Sequence, residues 1–108
     1  MVEFIRGETE LLRFKRIDSN GGVITETPDE LYFSFKRNYD NDDYIFQKSL
    51  ADFIQNGNYW LLSIPPEDTI SLPVGVYYFD IKVVTPFYSR YVVEPQQCKL
   101  RPNVTEEY

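Results

Sequence analysis

The chain has 108 residues, the size of one domain, and is 43% hydrophobic and 17% aromatic. It has no histidine, and its one cysteine, Cys98, can form neither an internal disulfide nor a CxxC site, so the commonest general base and the usual zinc ligands are missing. A net charge of −6 and a pI near 4.5 set its surface against nucleic-acid phosphates.

The N-terminal region, residues 2–17, reads as extended, interrupted at Gly7, with Leu12 and Phe14 on one side and Arg13 and Lys15 on the other. Asp18-Ser19-Asn20-Gly21-Gly22 is turn chemistry, and Val23-Ile24-Thr25 resumes the extended reading before Pro28-Asp29 turns the chain again. In Leu31-Tyr32-Phe33-Ser34-Phe35-Lys36, strict alternation puts Leu31, Phe33 and Phe35 on one face and Tyr32, Ser34 and Lys36 on the other. The polar stretch 38–43 then predicts a hairpin to an antiparallel strand over 44–48. Residues 49–54 predict a brief helical turn capped by Ser49. Beyond the Asn56-Gly57-Asn58 turn, Trp60, Leu62 and Ile64 share an inward phase up to Pro65-Pro66.

Glu67-Asp68-Thr69-Ile70-Ser71-Leu72 reads as a single helical turn. A second strong strand follows from Gly75, with Tyr77, Phe79, Ile81 and Val83 alternating against Tyr78, Asp80 and Lys82, and it is expected to be central. Residues 88–93 and 98–104 supply two last strands, with Pro95 and Pro102 confined to edges or bulges. Strands and turns without a sustained helical period predict an all-β fold, specifically an immunoglobulin-like antiparallel β-sandwich of about seven strands. One domain over 1–108 is expected, with a loose tail at 105–108. No run of 18 apolar residues occurs and charge repeatedly breaks the first dozen residues, so the expectation is a soluble protein with no signal peptide or membrane span.

Each cluster of reactive side chains has a plain structural reading. Asp40, Asp42 and Asp43 offer hard oxygen ligands, but without the glycine and distant glutamate of a calcium loop they read as a solvated hairpin tip. Glu67 and Asp68 read as the N-terminal cap of their turn. Arg13, Lys15 and Arg16 alternate in direction and so form no single phosphate patch, reading instead as edge protection or a rim contact. Cys98, in phase with Leu100, reads as a buried small hydrophobe. Gly21-Gly22 lacks the strand and helix of a phosphate-binding loop. No catalytic residue, metal, cofactor or small-molecule substrate is expected.

The tyrosines are less easily absorbed. Tyr32, Tyr39, Tyr44, Tyr59, Tyr78 and Tyr88 fall on outward or loop positions, where a rigid ring supplies contact area and its hydroxyl stays satisfied. Tyr32, Tyr78, Tyr59 and Tyr44 are the candidate protein interface.

The order of motifs, namely Arg6-Gly7-Glu8-Thr9, Leu31-Tyr32-Phe33-Ser34-Phe35-Lys36, Ile45-Phe46-Gln47-Lys48, Pro66-Glu67-Asp68-Thr69 and Gly75-Val76-Tyr77-Tyr78-Phe79-Asp80-Ile81, covers most of the chain. It resembles small β-sandwich structural proteins of tailed bacteriophages and prophages of Gram-positive hosts, in the style of the N-terminal domain of baseplate upper proteins. The resemblance implies a non-enzymatic virion or tail-assembly role, made in the bacterial cytoplasm, with further copies of the chain or other virion proteins as partners. It carries no catalytic residue over. The alternative expectation is a carbohydrate-binding module in which tyrosines and Trp60 stack on sugar faces, against which the inward phase of Trp60 counts.

Overall fold

The computed structural model describes residues 2–39 and 43–103, and these form strands, turns and two short 3-10 segments. The strands are β1 (Val2–Ile5), β2 (Glu10–Phe14), β3 (Arg16–Ile17), β4 (Val23–Ile24), β5 (Glu30–Lys36), β6 (Phe46–Lys48), β7 (Phe53–Asn56), β8 (Tyr59–Ile64), β9 (Gly75–Val84) and β10 (Ser89–Arg101). They assemble into a five-stranded sheet in the order β1-β10-β9-β5-β6, a three-stranded sheet β2-β8-β7 and a small β3-β4 hairpin. The all-β expectation holds. The antiparallel one holds with an exception, since β1 runs parallel to β10 and makes the large sheet mixed.

Alternation fixes the layering. Leu31, Phe33, Phe35, Tyr77, Phe79, Ile81, Val83, Cys98 and Leu100 from the large sheet join Phe53, Trp60, Leu62 and Ile64 from the smaller one in a single buried cluster. Its centre is a run of rings: Phe33 lies 5.5 Å from Phe79, Phe35 lies 4.9 Å from Phe46 and 5.1 Å from Tyr77, and Phe14 meets Phe53 edge-on at 5.8 Å. β9 is central as expected, paired with β5 on one side and β10 on the other.

Ten strands replace the expected seven or so, for local reasons. Residues 2–17 divide into three strands because a tight turn with Gly7 at positive φ closes β1 off from β2, and β3 leaves the sheet to pair with β4. The predicted helical turn over 49–54 is only the 3-10 segment Leu50–Asp52, where the Asp52 carboxylate accepts the Ser49 backbone N–H. Phe53 and Ile54 belong instead to β7, drawn out by pairing with β8. The two last expected strands are one, β10, which crosses Pro95 through register shifts between Tyr91 and Gln96. Pro95 is tolerated because β1 pairs only with Cys98 to Arg101, so no ladder partner needs an N–H from Pro95 on that side.

The turn between β8 and β9 is pinned to the β1–β2 turn. The fully buried Thr69 accepts the Gly7 N–H through Oγ1 at 3.0 Å, and Arg6 donates to the Leu72 carbonyl. Asp68, expected to cap its turn, instead pairs with Lys48 at 2.6 Å and ties that turn to β6. Asp40 and Asp42 of the expected hairpin tip, the end of the last expected strand at Val104 and the tail 105–108 lie outside the described residues.

Trp60 occupies the predicted inward position and is 3% exposed, but its Nε1–H meets no acceptor among the described residues. Trp60→Ala is expected to destabilise the protein by about 3–5 kcal/mol in urea unfolding. Trp60→Phe should cost much less, because no hydrogen bond is lost with the indole. A loss below about 1 kcal/mol for the alanine variant would place the ring outside the core.

Candidate functional site

The outward side of the large sheet is set by the same alternation that builds the core. Across β5 and β9, Tyr32 lies opposite Lys82, Ser34 opposite Asp80, and Lys36 opposite Tyr78. The rows continue sideways: Gln47 of β6 flanks Ser34, while Gln97 and Tyr91 of β10 flank Tyr78 and Lys82. Tyr39, 56% exposed in the loop after β5, meets the Tyr78 ring edge-on at 5.7 Å, and Lys82 Nζ sits 5.7 Å from the centre of the Tyr91 ring. Tyr44, also exposed, lies in the loop segment that leads into β6 at the edge of this sheet. Five tyrosines, Tyr32, Tyr39, Tyr44, Tyr78 and Tyr91, therefore belong to this face and its adjoining loop.

The face has a polar centre. Lys36 Nζ and Asp80 Oδ2 lie 2.8 Å apart with side chains only 11% and 4% exposed, and beside them Gln47 Nε2 donates to Ser34 Oγ at 3.0 Å. A simple half-buried strand would leave Lys36 and Ser34 in water, yet both are buried, as is Asp80. Pairing the two charges across adjacent strands is what makes their burial tolerable. At the rim, a hydrogen bond to the Glu30 carboxylate, with smaller contributions from desolvation and from the charges of Glu30 and Tyr44, raises the Tyr32 phenol above the usual range.

Of the four tyrosines predicted as an interface, Tyr32, Tyr44 and Tyr78 come together here. Tyr59 does not: it lies on the outward side of the smaller sheet, between Arg13 and Lys15, whose charges sit 4.4 and 4.7 Å from its ring centre. Its sequence neighbour Trp60 is turned into the core, so Tyr59 has to face the other way. Tyr39 joins Tyr78 as the outward reading allowed, whereas Tyr91 carried no signal, because the register shifts in β10 break the count of alternate residues there. Arg16, expected at a rim, is instead 4% exposed beneath the β3–β4 hairpin.

The remaining candidates take structural positions. Asp18 closes its own turn, its Oδ1 accepting the N–H groups of Asn20 and Gly22, and Gly21 adopts φ +84° there. Cys98 is fully buried, and burial, reinforced by the charge of Glu10, pushes its thiol from 9.0 up to about 12 despite an opposing hydrogen bond from the Phe4 backbone. Among the described residues, no three His, Cys, Asp or Glu side chains converge as a metal would require, and no helix is long and apolar enough to cross a membrane. No family model matches the chain, and no match is found among curated proteins.

Removing one partner of the Lys36–Asp80 pair leaves the other charge buried, so Lys36→Met or Asp80→Leu alone should each cost about 3–5 kcal/mol. The double variant should cost well under the sum of the two, which a double-mutant cycle by chemical denaturation measures. Additive single losses would mean that the two groups do not stabilise each other.

Proposed function

We propose that this chain is a non-enzymatic structural or assembly module of a phage-type particle, docking through the outward face of its five-stranded sheet onto a second copy of itself or a neighbouring particle protein. The observation that carries this reading is the gathering of Tyr32, Tyr39, Tyr44, Tyr78 and Tyr91 around one side of that sheet, with Tyr39, Tyr44 and Tyr91 between 43% and 56% exposed. Rigid aromatic rings with polar tips suit protein contacts, where they contribute area at a small entropic cost. The resemblance to small β-sandwich structural proteins of tailed phages supplies the particle setting.

The scaffold of this proposal is an immunoglobulin-like sandwich. Strands β10-β9-β5-β6 opposite β2-β8-β7 follow the G-F-C-C′ and B-E-D order of variable-type immunoglobulin domains, with β3–β4 as an added hairpin between the B and C equivalents. The Tyr77 hydroxyl donates at 2.6 Å to the carbonyl of Pro73, four residues upstream at the start of β9, in the manner of the tyrosine corner found at that point in such domains. On this reading the tyrosine face is one whole side of the sandwich. A carbohydrate-binding role has less support, since the burial of Trp60 removes the strongest sugar-stacking ring.

Light scattering across protein concentration tests the reading, alongside capture assays with purified particle proteins. The native chain should form a defined, salt-sensitive assembly, because its charge of −6 opposes indiscriminate aggregation. Tyr32→Asp and Tyr78→Asp should weaken that assembly without unfolding the domain. A strictly monomeric chain that captures no particle protein, or one that binds soluble sugars saturably through these tyrosines, would overturn it.

A further inference from the structure

Where β9 ends and β10 begins, a cleft of about 190 Å³, which Tyr91 of the tyrosine face also lines, separates the sheet from the β3–β4 hairpin. One wall holds Lys15, Arg16 and Ile24; the other holds Val83, Tyr88, Arg90 and Val92. Arg16 is 4% exposed, and its acceptors among the described residues are neutral: Nη1 donates to the Glu26 carbonyl at 2.7 Å, and Nη2 reaches the Tyr88 hydroxyl at 3.4 Å. Arg90 stacks on the same Tyr88, its guanidinium carbon 4.1 Å from the ring centre. Two guanidinium groups thus converge on one phenol.

Among the described residues neither has a counter-ion: the ion pairs Lys36–Asp80, Lys48–Asp68 and Arg101–Glu3 do not involve Lys15, Arg16 or Arg90. The nearby acids do not fill that role. Asp18, Glu26 and Asp29 line an adjoining cleft that shares Arg16, Ile24 and Tyr88 with this one; the Asp18 carboxylate is taken up by its own turn, and Glu26 accepts from Arg16 through its carbonyl. In a chain with 17 acidic and 11 basic side chains, a cleft that two guanidinium groups line with no acid among the described residues runs against the overall charge. A buried guanidinium with a like charge beside it and no carboxylate is an arrangement that an anion would stabilise.

We propose that this cleft binds a carboxylate carried on an aliphatic stem. Arg16 and Arg90 hold the charged end, and Ile24, Val83 and Val92 receive the stem. The volume, roughly that of six waters in the liquid, fits one short chain. The mixed lining favours a carboxylate over phosphate or sulfate, whose oxygens point in all directions and call for donors on every side. Both a free short-chain acid and a glutamate side chain of a docked polypeptide carry this chemistry.

The test is an NMR titration of the full chain at fixed ionic strength with butyrate, with a blocked peptide carrying one glutamate, and with inorganic phosphate. Butyrate or the peptide should shift the Ile24, Tyr88 and Arg90 amides saturably, and the tighter of the two identifies the source. Phosphate should bind several-fold more weakly. Arg90→Gln, at an exposed position where folding should be preserved, should weaken binding about tenfold, the loss expected for a charge-assisted hydrogen bond. An absence of saturable shifts, equal affinity for phosphate, or binding unchanged in Arg90→Gln would overturn the proposal.

Discussion

β5 and β9 pair over seven residues, from Glu30 opposite Val84 to Lys36 opposite Tyr78, and because strand side chains alternate, this single register decides both faces of the large sheet. On one side it sets Phe33 opposite Ile81 and Phe35 opposite Phe79, which lets Phe33 stack on Phe79 at the aromatic centre of the core. On the other it sets Ser34 beside Asp80 and brings Lys36 within reach of the Asp80 carboxylate. A slip of one residue would drive Lys36 and Asp80 into the core and push the phenylalanines into water. The buried ion pair therefore serves the register as well as the surface: a misaligned sheet would bury these charges without each other, at a cost of several kcal/mol.

The strands that were legible in the sequence are those whose two faces differ strongly. β5, β8 and β9 alternate bulky apolar residues with polar or tyrosine residues, so their inward sets, including Trp60, Leu62 and Ile64, could be read directly. β7 was hidden because its strand character comes from pairing with β8; its own sequence, Phe-Ile-Gln-Asn, has no alternation to detect. The fusion of the last two strands was hidden by Pro95, which reads as a terminator unless the neighbouring edge is known to be unpaired. The parallel β1–β10 pair depends on residues almost the whole chain apart, and nothing local encodes it.

The same distinction runs through the functional surfaces. Tyr32 and Tyr78 were predictable because they occupy the outward phase of the two strongest strands, and Tyr44 came with the neighbouring hairpin. Tyr59 lies on the other sheet, which its own alternation does not reveal, since alternation says which way a side chain faces relative to its neighbours but not which sheet it belongs to. Arg16 was misread for a related reason. A two-residue strand has no period to analyse, and its burial arises from a hairpin folding over the far end of β9 and β10. The core thus follows from local pattern, whereas both the tyrosine face and the basic cleft are products of topology.

The claim that one register sets both faces can be tested by measuring cross-strand backbone contacts between β5 and β9 by nuclear Overhauser effects in the labelled protein. The account predicts contacts joining Phe33 with Ile81, Ser34 with Asp80, and Phe35 with Phe79. Contacts displaced by one residue, such as Phe33 with Lys82, would invert the two faces and contradict it.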